Sequence, residues 1–148
     1  MESVQVVWFK RDLRLNDHEP LREALRRQLP TLLLYVFEPE SQHHPAYDIR
    51  HWRFVWQSLQ DMNARLKHDG LQMTVLQGSA QDIFQALARM YKLERVLSCE
   101  EVGLRVTFDR DIELGRWFQQ QGISWKEFPF SGIRRGLKNR SNWVKEWY

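Results

Sequence analysis

A single cysteine, Cys99, among 148 residues rules out an internal disulfide, a CxxC redox pair and a zinc site built on paired thiols. Long apolar runs are absent too: none approaches the roughly 20 residues that a bilayer-spanning helix needs. The first residues, Met1-Glu2-Ser3-Val4, carry no basic stretch leading into an apolar one, so no secretory signal is expected. Together these absences suit a reducing compartment, and the expected location is cytoplasmic. Glycine is scarce at seven residues, and no glycine-rich phosphate loop of the GxGxxG or GxxxxGK[ST] kind occurs. Where a dinucleotide-binding turn would follow the first strand, Lys10-Arg11-Asp12 stands instead. His43 and His44 are adjacent, a spacing that rarely lets two rings converge on one metal, and they read as a surface loop.

What remains is an ordinary globular composition, 43% hydrophobic and 28% charged, long enough for one domain with a real core. The net charge of +3 is unevenly spread. Residues 131–148 hold Arg134, Arg135, Lys138, Arg140 and Lys145 against one acid, Glu146, which makes that segment +4 and leaves residues 1–130 at −1. A basic tail can follow phosphates, and it can equally be a solvated linker.

Short β-branched runs alternate with amphipathic stretches. Val4–Phe9 is nearly continuous in apolar residues, as a strand covered on both faces is. Asp17 occupies an N-cap position, with Pro20 in the first turn and Leu21, Ala24, Leu25 and Leu29 at helical spacing. Thr31–Phe37 is a second strand, stopped by Pro39. A helix over about 48–68 has Ile49, Trp52, Val55, Trp56, Leu59, Met62 and Leu66 along one face and Gly70 as its terminator. Met73–Leu76 is strand three. Ser79 and Asp82 open a helix running through Ile83, Leu87 and Met90. Arg95–Ser98 is strand four, a helix over about 106–121 follows, and Ile123–Phe128 is strand five. Trp8, Trp52, Trp56 and Trp117 are expected in the core. Five strands alternating with four helices on short connections predict an α/β fold, a five-stranded parallel doubly wound (Rossmann-like) sheet flanked by helices. Residues 1–130 form that domain, and 131–148 a basic linker leaving it.

Ligands of such sheets sit at the carboxyl ends of the strands, where strand order reverses. Those ends carry Lys10-Arg11 after strand one, Glu38 after strand two and Cys99-Glu100-Glu101 after strand four. Cations facing carboxylates suit a flat polar heterocycle, although the same residues also make local ion pairs. From the residues alone the chain is an α/β domain with a plausible heterocycle crevice.

The segment Val6-Val7-Trp8-Phe9-Lys10-Arg11-Asp12-Leu13-Arg14-Leu15-Asn16-Asp17-His18-Glu19-Pro20-Leu21 closely resembles the opening of the DNA photolyase/cryptochrome family. Tyr35-Val36-Phe37-Glu38-Pro39 is similar to that family's second strand and its exit, and Arg53, Phe54, Ser58 and Leu59 to part of its second helix. Ser98-Cys99-Glu100-Glu101-Val102-Gly103, with Thr107 and Arg110-Asp111 beyond, resembles a bacterial branch that has histidine where Cys99 stands. Gly132 to Arg140, with Trp143 and Trp147, is similar to the same branch's exit from the domain.

The resemblance implies the N-terminal, antenna-chromophore domain of a light-driven DNA repair enzyme or blue-light sensor. It covers about the first third of a typical member. The remainder, a helical domain that binds FAD and docks on damaged DNA, is the implied partner. This chain alone, without flavin pocket or electron-relay tryptophans, is expected not to be an active carbon–carbon lyase. The resemblance points to Arg11, Phe37, Glu38, Arg53, Glu100 and Glu101 as contacts for a deazaflavin, FMN, a lumazine or a folate. Apolar surface normally covered by the helical domain is expected to favour self-association. The rival readings are a stand-alone nucleotide-binding α/β domain and a nucleic-acid module that uses the basic tail.

Overall fold

The computed structural model describes residues 1–130, 132–141 and 145. Of the expected exit segment, Asn142, Trp143, Glu146 and Trp147 lie outside the described residues. Chain order is β1 (Ser3–Phe9), α1 (Glu19–Leu25), β2 (Thr31–Phe37), α2 (Pro39–Gln42), α3 (Ile49–Lys67), β3 (Met73–Gln77), α4 (Ala80–Met90), β4 (Lys92–Cys99), α5 (Arg105–Gln120) and β5 (Ser124–Phe128). The five strands form one sheet in the order β3-β2-β1-β4-β5, and every neighbouring pair is parallel.

Alternation along β1 divides the core into two layers. Val4, Val6 and Trp8 face α4 and α5, where they meet Ala80, Phe84, Leu87, Leu114 and Phe118. Val7 and Phe9 point the other way, with Leu33 and Tyr35 of β2, against Ala24 of α1 and Leu59, Met62 and Leu66 of α3. Both faces of the central strands are therefore covered, which is why their sequence is apolar without alternation. Gln5 breaks that run and is fully buried. Its amide donates to Ala24 O at 2.9 Å and to Thr31 Oγ1 at 2.8 Å, and its carbonyl accepts from Arg95 Nε at 2.8 Å. A buried amide satisfied on both ends ties β1 to α1, β2 and β4.

The five strands, the parallel sheet and the doubly wound arrangement agree with the sequence reading; several local details differ. Asp17 does not cap α1. It takes a left-handed backbone (φ 49°), and the N-cap is His18, whose Nδ1 accepts from Leu21 N at 3.1 Å. The cap moves because His18 is already held: its ring stacks on Phe9 at 4.6 Å and its Nε2 bonds Asp12. The one-turn helix α2 was not expected, and β4 starts three residues earlier than Arg95. Along α3 the apolar stripe is only partly buried. Leu59, Met62 and Leu66 reach the core, while Ile49 and Trp56 are 61% and 51% exposed. The N-terminal half of α3 overhangs the carboxyl end of the sheet, so its apolar residues border an opening instead of filling a core.

Candidate functional site

The sheet order changes direction between β1 and β4, and the carboxyl ends of β1, β2 and β4 open there into a crevice of about 660 Å³. Phe9, Lys10 and Arg11 contribute from the end of β1, Tyr35 and Glu38 from the end of β2, and Glu101 from beyond β4. Thr107 and Arg110 come from α5. The wall opposite is aromatic, with Tyr47 from the loop before α3 and Trp52 and Phe54 on α3 itself. Such a volume, with an apolar body and a few fixed polar groups, is typical of small-molecule sites.

The polar wall alternates in sign. Arg110 sits at its centre, bonding Glu38 through Nη1, Glu101 through Nη2 at 3.2 Å and Asp111 through Nε at 2.9 Å. Arg11 bonds the other oxygen of Glu101 at 3.2 Å, and that oxygen also accepts Gly103 N at 2.8 Å. Lys10 is almost wholly buried, paired with Asp111 at 2.7 Å and donating to Cys99 O at 3.2 Å. Burial alone would raise the Glu101 carboxyl, but Arg11, Arg110 and Lys10 outweigh it and hold Glu101 below its usual range. At Glu38 burial wins and the carboxyl is pushed up, with Arg110 opposing. Burial would lower Arg110, yet Asp111, Glu38 and Glu101 raise it further above its already high value. Every cation of the inner wall thus has a carboxylate, and the wall is close to neutral.

Of the residues expected from sequence, Arg11, Glu38 and Glu101 meet in the crevice. Phe37 lies behind the aromatic wall, packed on Trp52 at 6.2 Å and Trp56 at 6.5 Å between ring centroids. Arg53 is exposed on α3 and does not line the crevice, and Glu100 turns away to pair with Arg135 at 3.4 Å. Sequence reasoning did not single out Tyr47, Trp52 or Arg110 as site residues. Arg110 meets Glu38 across 72 positions, which no local spacing could reveal. Tyr47 ties the loop before α3 to the polar wall. The Arg11 guanidinium lies 5.8 Å from its ring centroid, and the ring packs on Trp52 at 5.0 Å. The indole N–H of Trp52 is buried and has no acceptor among the described residues.

Beside the crevice, Asp12, His18 and Cys99 bring three potential metal-ligand atoms within 4.8 Å of one another. Their hydrogen bonds argue against a metal. His18 Nδ1 accepts the Leu21 N–H, so the ring carries its proton on Nε2, which donates to Asp12. A metal on Nε2 would force the proton onto Nδ1, facing another donor. Burial, followed by the charge of the neighbouring Asp12, pushes the Cys99 thiol up to about 12. The trio is a structural clasp between the exits of β1 and β4.

The DNA photolyase family model matches residues 5–133. Cryptochrome-2 of Gallus gallus is 33% identical over 91 residues, 62% of this chain and 16% of that protein. Cryptochrome DASH of Synechocystis sp. is 31% identical over 102 residues, 66% of this chain and 21% of that protein. Among solved structures, a Synechocystis sp. cryptochrome superposes with a TM-score of 0.76 at 26% identity, covering 86% of this chain and 27% of that one. A photolyase from Sulfolobus tokodaii reaches 0.82 over 97% of this chain and 34% of that one; at 20% identity this likeness shows the fold alone. The chain spans about a fifth of the length of these curated relatives. With the carboxyl-end crevice and its Lys10–Arg11–Asp12 exit in place of a glycine turn, these matches establish that the chain belongs to the DNA photolyase family and corresponds to the N-terminal α/β domain of its photolyases and cryptochromes.

Proposed function

We propose that the crevice binds an antenna chromophore, a flat heteroaromatic ring that absorbs light and passes the excitation to a flavin held by a helical domain. The observation that carries this reading is the combination of walls. An aromatic side offers stacking surface and a buried, unpartnered indole N–H at Trp52, which suits a ring carbonyl. A neutral ion-paired side offers Glu38 and Glu101 as acceptors and Arg11 as a donor to ring edges. When bound, the chromophore would supply light absorption; the residues here bind and orient it and shield it from water. The Sulfolobus tokodaii photolyase was solved with two FAD molecules, taken to imply a novel light-harvesting cofactor, which supports looking for a second ring site here.

The neutral inner wall favours the ring of a deazaflavin, FMN, a lumazine or a reduced folate over a polyphosphate, which would need unpaired cations. A stand-alone nucleotide-binding role is disfavoured on that ground. In the basic tail, Arg135 pairs with Glu100 and Glu127, at 3.4 and 3.5 Å, which offsets its charge towards nucleic acid. Light-driven DNA repair or blue-light sensing would belong to the longer protein with its FAD domain.

Absorption and fluorescence titrations with the four chromophores test the reading, repeated on Arg11→Ala and Glu101→Ala. Saturable micromolar binding of one of them, weakened about tenfold by either substitution, is the expected result. Absence of saturable binding by all four would reject a site complete within these residues.

A further inference from the structure

Two indoles line the crevice, and cations lie over the ring of only one of them among the described residues. Trp8, only 1% exposed, has Lys10 Nζ 4.6 Å from its ring centroid and the Arg110 guanidinium 4.8 Å away. Asp111, Glu38 and Glu101 balance these cations and fix their positions. Trp52 faces aromatic neighbours, with Tyr47 at 5.0 Å and Phe37 at 6.2 Å; Phe37 leads on to the half-exposed Trp56 at 6.5 Å. Behind Trp8 lies the core itself, with Phe84 at 5.2 Å and Trp125 at 6.1 Å.

A cation over an indole is attracted to the electron-rich face of the neutral ring. Removing an electron from the ring turns that attraction into repulsion, and in a buried setting water does little to screen it. We propose that Lys10 and Arg110 protect Trp8 from one-electron photo-oxidation and leave Trp52 as the indole that a photo-excited ring in the crevice oxidises. The step is the transfer of one electron from an indole to the excited ring, which gains it; the indole becomes a radical cation. At Trp52 the hole is passed towards Trp56 and solvent. At Trp8 it would enter the packed layer of Phe84, Phe118 and Trp125, where an oxidised, more polar indole would disrupt the core. The benefit to the protein rests on the chromophore reading above; the resistance of Trp8 to oxidation does not.

The test therefore uses a photosensitiser free in solution. The aerated protein is illuminated with riboflavin, which takes electrons from indoles when excited and is regenerated by dioxygen. Oxidation of each tryptophan is followed by peptide mass spectrometry. In the parent protein Trp52 and Trp56 are expected to be consumed and Trp8 spared. Lys10→Gln, which keeps hydrogen-bonding capacity towards Asp111 and Cys99 O but removes the charge, is expected to raise Trp8 oxidation on the order of tenfold. Trp56 should oxidise at an unchanged rate, circular dichroism and thermal melting should report an intact fold, and Lys10→Arg should stay protected. Unchanged Trp8 oxidation in a folded Lys10→Gln protein overturns the proposal. So does a parent protein that loses Trp8 as fast as Trp52, a result that needs no variant. Failure of the chromophore titrations would reject the antenna reading and leave this result standing or falling by itself.

Discussion

At the scale of single residues, Gly103 and Arg11 occupy one space. A Cβ built on Gly103 would fall 1.8 Å from Arg11 Nη2 and 2.4 Å from its Cζ. The obstacle is the far end of a flexible, one-third exposed side chain, so the arginine yields and the backbone does not. Gly103→Ala is thus expected to swing Arg11 off Glu101 into solvent and cost about 1 kcal/mol of stability, since Arg11 is partly solvated and Glu101 keeps its bonds to Arg110 and Gly103 N. Chromophore affinity should fall as far as it does in Arg11→Ala, measured by the same titration. A melting point only slightly lowered together with weakened binding is the pattern that separates this from a folding defect. Arg11, Glu38 and Glu101 were legible in the sequence because each directly follows a strand, where a parallel sheet puts its ligands. Arg110 and Trp52 were not. Both lie on helices among similar residues, such as Arg105 and Arg116 or Trp56, and nothing in helical spacing says which of them turns towards the strand ends.

At the scale of elements, α4 announced itself through its cap, whereas α3 was read from its apolar face. Ser79 Oγ accepts from Asp82 N at 3.1 Å and starts α4 where the sequence placed it, directly after Gly78, whose N–H donates to Phe37 O at 3.0 Å. Ser79→Ala removes the side-chain acceptor for one orphan N–H and is expected to cost about 1 kcal/mol, read as a lower denaturant midpoint with an unchanged slope. Ser79→Asp should restore most of the loss, because aspartate caps as well and favours the positive helix end. The caps of α1 and the existence of α2 escaped sequence reading for different reasons. Asp17 has the residue type of a cap, but a tertiary contact of His18 with Asp12 and Phe9 decides which residue takes the position. A four-residue helix has no period to detect. In α3 the pattern was correct but its meaning was not, since apolar residues at helical spacing border an open crevice at one end and fill a core at the other.

At the scale of the molecule, what holds the site in register is the closure of the β1 and β4 exits onto each other, and Asp12 is the centre of that closure. It accepts Lys10 N at 2.9 Å and bonds the His18 ring, with the Cys99 thiol beside it, while 99% of its surface is removed from water. Burial works against the carboxylate, but the His18 ring and the Lys10 N–H outweigh it and hold its pKa below the usual value. The sign of the pH dependence follows. An unfolded chain takes up the Asp12 proton near the ordinary value of about 3.9, and the folded chain does so only at lower pH. The stabilisation from Asp12 is complete above the unfolded value and is lost as pH falls through the folded one. Glu101, also depressed, adds in the same direction; Glu38 and Glu127, both raised by burial, oppose, because what they contribute is present below the usual glutamate value and is lost as pH rises through their raised values. Asp12→Asn isolates the first of these. At neutral pH the variant should be less stable by about 1–3 kcal/mol, the loss of a buried charge-assisted hydrogen-bond centre. As pH is lowered the parent should lose its Asp12 contribution while the variant has none to lose, so the two curves of melting temperature against pH should converge below about pH 4. Curves that stay parallel through that range would mean that Asp12 does not titrate below its unfolded value and that the clasp is held by packing rather than by charge.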